Sequence, residues 1–244
     1  MLRPGLLRVT PTLSRRLAAE AVGTTFLLVA VVGSGIMGER LAGGDAAMTL
    51  LANSLATGAA LVAIILAFGE VSGAHLNPAV TMAAAWEGGL PWRDAPAYGA
   101  AQLVGAVTGV VLAHAMFGEP LIAIGVQPRT GAGLWASEAL ATFGLLAVIW
   151  GCVRARSSAT AFAVGAYITG AYWFTSSTSF ANPAVTVARA LTDTFTGIRP
   201  ADVPVFVLCQ FAGALAATLL FAWLIPALPA RAADVVQPHN RSSR

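Results

Sequence analysis

The sequence predicts an all-α membrane protein, with six transmembrane helices plus two re-entrant half-helices in an inverted 3+3 repeat. Three observations lead there. Hydrophobic residues make up 57% of the chain and charged ones only 10%. A soluble domain carries about 25% charged residues, so this chain lacks the solvating surface of one. Several apolar runs approach the roughly 20 residues that cross a hydrocarbon core about 30 Å thick. Finally, one order of motifs occurs twice along the chain.

The apolar runs are Leu17–Met37, Met48–Phe68, Ala97–Phe117, Leu134–Val153, Ala159–Phe174 and Val203–Ile225. The first is longer than the apolar stretch of a signal peptide, about 7–15 residues, and contains Glu20; it reads as a retained span. The fifth is the shortest. Residues 1–16 and 226–244 flank the spans as cytoplasmic ends. Placing both termini in the cytoplasm puts Arg3, Arg8, Arg15, Arg16, Arg93, Arg154, Arg156, Arg231, Arg241 and Arg244 inside. Only Arg40, Arg129, Arg189 and Arg199 then lie outside, which satisfies the positive-inside rule.

Two further stretches are too apolar for ordinary loops: Ser72–Thr81, SGAHLNPAVT, and Ser177–Thr186, STSFANPAVT. Asn is a preferred N-cap and Pro is favoured at the first helical position, so Asn77-Pro78 and Asn182-Pro183 each open a short helix. A helix starting in mid-membrane must be buried in protein or line an aqueous path, because its free N–H groups cannot face lipid. The repetition extends further. Glu20 and Glu138 sit in matching segments of spans one and four, and Gln102 and Gln210 in matching segments of spans three and six. Repeat one covers about 17–117 and repeat two about 134–225. Three spans per repeat is an odd number, so the second copy is inverted, an arrangement found in transport proteins.

Other classes fit less well. The net charge is +3, but the arginines form no stripe for nucleic acid. Cys152 and Cys209 make no disulfide framework and show no metal spacing. His114 and His239 are isolated, and no nucleophile–base pair is evident. No catalytic residue, metal site or cofactor is expected. The partners expected from composition are membrane lipids.

With two Asn-Pro-Ala boxes (Asn77, Pro78, Ala79 and Asn182, Pro183, Ala184) inside an inverted repeat, the sequence resembles the major intrinsic protein family, the aquaporins and aquaglyceroporins. The resemblance covers essentially Arg16 to Ile225 and implies an aquaporin-fold channel domain over 17–225. It also implies a homotetramer with one pore per subunit in the cell membrane. Opposed half-helix N-termini place two positive dipole ends at the pore centre and disfavour cations there, an established feature of aquaporin-type pores. The Asn77 and Asn182 amides can donate to a passing oxygen. Gly73, Ala74 and His75 before the first box, and Thr178, Ser179 and Phe180 before the second, offer backbone carbonyls to the path. Two readings of His75 stand: a fixed neutral wall residue, or a gate that charges near neutrality. For Glu20 and Glu138 the family pattern favours a role as acceptors for re-entrant-loop N–H groups. The alternative is an ion-coupled secondary transporter with these carboxylates as proton carriers.

Most family members carry Arg three residues beyond the second Asn; here that residue is Val185. Counting from the boxes gives an implied selectivity ring of Thr57, Gly170, Ser179 and Val185. Such a ring is wide and uncharged, suited to glycerol-like polyols, urea-like solutes or metalloid hydroxides, with water alongside. Arsenous acid, a neutral trihydroxide, resembles glycerol. The Val185 substitution and the Ala190–Gly197 stretch resemble a bacterial branch associated with arsenic-resistance genes, which implies arsenous acid and methylarsenicals as candidates. Arg189 lies one turn beyond Val185. It can reach back over the mouth, pair with Asp193 at i,i+4, or extend to the outer surface; the surface roles are the expected ones.

Overall fold

The structure is a computed structural model that describes residues 11–155 and 158–224. Eight α-helices account for most of these residues: α1 Leu13–Leu41, α2 Ala46–Ser72, α3 Pro78–Trp86, α4 Ala95–Phe117, α5 Ala132–Ala155, α6 Thr160–Phe174, α7 Pro183–Arg189 and α8 Val203–Leu224. A 3-10 turn, Pro200–Asp202, leads into α8. No strand occurs among the described residues. The expected tail 226–244 and most of the N-terminal segment 1–16 lie outside them.

Each predicted span is a helix, generally longer than its apolar run, because polar caps add turns at the ends. Thr12 accepts from the Arg15 N–H at the start of α1, and Asp45 accepts from the Ala47 and Met48 N–H groups at 2.9 and 3.1 Å. α2 stops at Gly73, whose φ of 91° ends the helix in the left-handed region open to glycine. Five of the helices are long and apolar enough to cross a membrane, while α6 has only 15 residues. That matches the short fifth run.

The repeat is visible in the packing. α1 lies against α2 and α4, as α5 lies against α6 and α8, and α2 meets α6 across the two halves. The half-helices α3 and α7 each contact both α4 and α8, so each is wedged between the last helices of the two repeats. Large apolar side chains such as Phe26, Leu55, Leu66, Val104, Leu208 and Trp223 are exposed on the outer faces. In a bilayer those faces meet lipid. Beyond α4, the segment 118–131 runs beside the residues that follow α7. Its Ala123 and Gly125 N–H groups donate to Leu191 and Ala190 carbonyls, both at 3.0 Å, and Arg199 N–H donates to Gln127 at 2.8 Å.

Candidate functional site: a channel between two half-helices

The half-helices meet at their N-termini in near-identical geometry. Asn77 and Asn182 both have φ of −156°, and their side-chain oxygens accept from Ala79 N–H at 2.9 Å and Ala184 N–H at 3.0 Å. Pro78 and Pro183 occupy the first helical position, where no N–H is needed. Each amide nitrogen then ties to the opposite loop: Asn77 Nδ2 donates to the Ala181 carbonyl and Asn182 Nδ2 to the Leu76 carbonyl, both at 2.7 Å. An amide carries two donors. One holds the junction, and the second remains for the cavity that both residues line.

The loops ahead of the boxes are bent in the same way. Ala74 and Leu76 in the first, and Thr178, Ser179 and Ala181 in the second, all have positive φ between 45° and 62°. Left-handed backbone costs a non-glycine residue about 1–2 kcal/mol, so something must hold it. Glu20 does so in the first loop: it accepts from Ser72 Oγ at 2.6 Å, His75 N–H at 2.9 Å, Leu76 N–H at 2.7 Å and Gln102 Nε2 at 2.8 Å. Glu138 repeats the device with Phe180 and Ala181 N–H groups, both at 2.9 Å, and Gln210 Nε2 at 2.6 Å. Gln102 and Gln210 also donate to Thr81 and Thr186, at 2.9 and 2.8 Å, which ties each anchor to its half-helix. Neither carboxylate lines the cavity.

That cavity passes the junction and has two unlike walls. One is apolar, with Leu27, Val31, Leu61, Ile65, Leu145 and Ile149. The other carries the loop backbones at Ala74–Leu76 and Ser179–Ala181, with Asn77 and Asn182. His75 lies in this polar wall, its Nδ1 3.2 Å from Thr81 Oγ1. Gly73 and Thr178, expected in the lining, lie outside it. Both are spent on turns: Gly73 N–H bonds to the Gly69 carbonyl and Thr178 N–H to the Thr175 carbonyl. Leu76 and Ala181, not anticipated from the sequence, hold the inter-loop bonds instead.

Three of the four expected ring residues, Thr57, Ser179 and Val185, do line the cavity. Gly170 does not. α6 presents Val164, Ile168 and Tyr172 to the path, a spacing of four that keeps one face. Residue 170 is two positions from either neighbour, hence about 200° around the helix and turned away. The Tyr172 hydroxyl donates to Thr57 Oγ1 at 3.2 Å, joining two walls. The spacing of 164, 168 and 172 is the available signal; counting back from Asn182 carries the register through an irregular loop and misses it.

Arg189 corrects a second expectation. It does not pair with Asp193 or reach the surface. It is 2% exposed and in the cavity wall. Its Nε donates to the Thr196 carbonyl, and its guanidinium carbon lies 3.3 Å from the Phe180 ring centroid. Arg129 approaches the same ring at 4.9 Å and is fixed by Nε to the Gly197 carbonyl at 2.9 Å. Burial lowers the pKa of Arg129 from the ordinary arginine value, while Glu138 pulls it back up. The wall near Val185 is therefore neither uncharged nor, with Tyr172 present, bare of aromatics.

Comparison with known proteins agrees with this geometry. The chain is 51% identical over 218 residues to the aquaglyceroporin AqpS of Rhizobium meliloti, covering 89% of this chain and 93% of that one. It is 32% identical over 245 residues to the probable aquaporin AqpM of Archaeoglobus fulgidus, covering 88% and 99%. An X-ray structure of the aquaglyceroporin from Plasmodium falciparum shares the fold, with a TM-score of 0.72 at 21% identity, over 89% of this chain and 99% of that one. The sequence profile described as major intrinsic protein matches residues 8–169. From the paired boxes, the doubled scaffold and these relatives alike, the chain belongs to the major intrinsic protein family of membrane channels.

Proposed function

We propose that this channel passes glycerol-like polyols and metalloid hydroxides such as arsenous acid, with water and methylarsenicals as further permeants. It works in the cell membrane as a homotetramer with both termini in the cytoplasm. The observation that carries this reading is the two-faced cavity. A polyol has a carbon edge and a hydroxyl edge; the apolar wall suits the first, and the Asn amides and loop backbones suit the second. Arsenous acid presents three hydroxyls on a comparable scale. Thr57, Ser179 and Val185, with Tyr172 in the place expected of Gly170, form the selectivity ring. Pro78, Ala79, Pro183 and Ala184 set the half-helix geometry behind it, and His75 serves as a fixed wall residue.

An ion-coupled transporter is disfavoured by the position of Glu20 and Glu138. Their oxygens are engaged by loop N–H groups. Protonating either would disrupt the bonds that hold left-handed backbone in place. The test is stopped-flow light scattering on proteoliposomes of the purified chain. A glycerol shock should give volume recovery far faster than empty liposomes, and an arsenous acid shock should do likewise. Fast water efflux in sucrose without recovery in glycerol would restrict the channel to water and overturn the solute assignment.

A further inference from the structure

We propose that Arg189 is the cation-excluding residue of the outer constriction, supplied from one helical turn beyond the position that Val185 leaves apolar. This deepens the proposed function, since it presumes that solute passes through the cavity.

The placement follows from the helix itself. Val185 and Arg189 are separated by four residues, so they share a face about 6 Å apart along the axis. Helical side chains lean toward the N-terminus, which aims a long side chain at 189 back over residue 185. Two contacts fix it there: the Thr196 carbonyl accepts from Nε, and the Phe180 ring covers one face of the guanidinium. The segment that supplies Thr196 is itself closed onto the end of α7, with Ile198 N–H donating to the Arg189 carbonyl at 3.2 Å.

The hydrogen-bond count points to a ligand. Arg189 forms no ion pair among the described residues. Nε has its carbonyl, but neither Nη group has a protein acceptor among the described residues. A buried guanidinium with unmet donors is unstable unless something accepts from it. The guanidinium belongs to a side chain that lines the cavity. Ser179, in the same lining, has a buried Oγ that is also without a partner. Oxygen atoms of permeating water or solute hydroxyls complete the Arg189 donors. Arg129, on the same Phe180 ring, adds a second positive charge nearby. A cation entering this mouth meets both charges where screening is weak. A neutral hydroxylated solute accepts from one of them and moves on.

Proteoliposomes carrying a pH- or sodium-sensitive dye, under an imposed potential, read cation leak. Glycerol-shock recovery on the same vesicles reads the channel. Wild type should recover in glycerol with leak at the empty-vesicle baseline. Arg189→Leu and Arg189→Gln should keep glycerol recovery and raise the leak by about tenfold or more, the effect of removing a charge from a weakly screened site. Val185→Arg with Arg189 replaced by Val should return the leak to baseline. Val185→Arg alone should lose glycerol recovery, because two guanidinium groups then share one constriction. A conducting Arg189→Leu or Arg189→Gln channel with baseline leak overturns the proposal. So does a freely glycerol-conducting Val185→Arg single variant, which keeps the test open should the Arg189 variants fail to assemble. Absence of glycerol recovery in wild type defeats the solute assignment instead, and the leak assay tells the two failures apart.

Discussion

Glu138 illustrates how single residues hold this channel open. Phe180 N–H, Ala181 N–H and Gln210 Nε2 all converge on its carboxylate. Ser179 and Ala181 beside them have φ of 51° and 48°. Each buried donor left unmet costs about 1–3 kcal/mol. Glu138→Ala should therefore lower the thermal unfolding midpoint in detergent and abolish conduction. Glu138→Gln should fall between, because its amide nitrogen opposes a backbone donor. A Glu138→Gln protein as stable as wild type, defective only in pH-gradient-driven uptake, would restore the transporter reading. At the junction, Asn182→Asp keeps the cap acceptor but loses the donor to the Leu76 carbonyl. It also places a negative charge where two helix N-termini meet. Cation leak in vesicles should rise above the lipid baseline, and an unchanged leak would confine Asn182 to capping. Asn182 and its twin were legible in the sequence because capping is local chemistry, readable from two adjacent residues. Arg189 was not: its position depends on a carbonyl seven residues on and a ring nine residues back, whereas the sequence favours pairing with Asp193 at i,i+4 or extension to the surface. Asp193 Oδ1 instead lies 3.3 Å from the Val126 N–H.

At the level of elements, the close helix crossings depend on matched glycines. A Cβ at Gly105 would overlap the Ala21 carbonyl, and one at Gly213 the Ala139 carbonyl. Both obstacles are backbone and cannot rotate away. Thr25 Oγ1 adds a hydrogen bond to the Gly105 carbonyl at 3.1 Å, tightening the α1–α4 seam. Overpacking such a contact costs about 1–3 kcal/mol. Gly105→Ala and Gly213→Ala should each lower the unfolding midpoint and broaden the size-exclusion profile. Gly99→Ala, on α4 with open space around it, should leave the midpoint unchanged or raise it slightly through helix propensity. Equal effects at all three positions would mean that the crossings are not limited by backbone approach. Gly105 and Gly213 each stand three residues beyond the matched Gln102 and Gln210, so both crossings follow the repeat. The rotation of α6 was harder to read. Counting from Asn182 carried the register through an irregular loop, and two residues of error there turned Gly170 inward and hid Tyr172.

Across the whole molecule, the doubled pattern of Glu, box and Gln fixes the architecture, because each half repeats the same anchor and the same wedge. An odd number of spans per repeat then forces inversion, and only the orientation is left to charge. Arg15 and Arg16 precede the apolar part of α1, and Arg93 lies between α3 and α4; on the opposite side are Arg40, Arg129 and Arg199. The interior set is weakly expressed within the described residues, so orientation rests heavily on arginines at the two ends of the chain. Single cysteines decide it directly. In a background with Cys152→Ala and Cys209→Ala, Ser14→Cys lies at the start of α1 and Leu121→Cys in the segment after α4; both positions are exposed. With the termini in the cytoplasm, a membrane-impermeant maleimide applied to intact spheroplasts should label residue 121 and spare residue 14 until the membrane is permeabilised. The reverse pattern would put Arg189 at the cytoplasmic mouth and make it a guard on efflux. Labelling of both positions in intact cells would indicate mixed insertion, the outcome expected if the arginines at the two ends of the chain do not bias orientation.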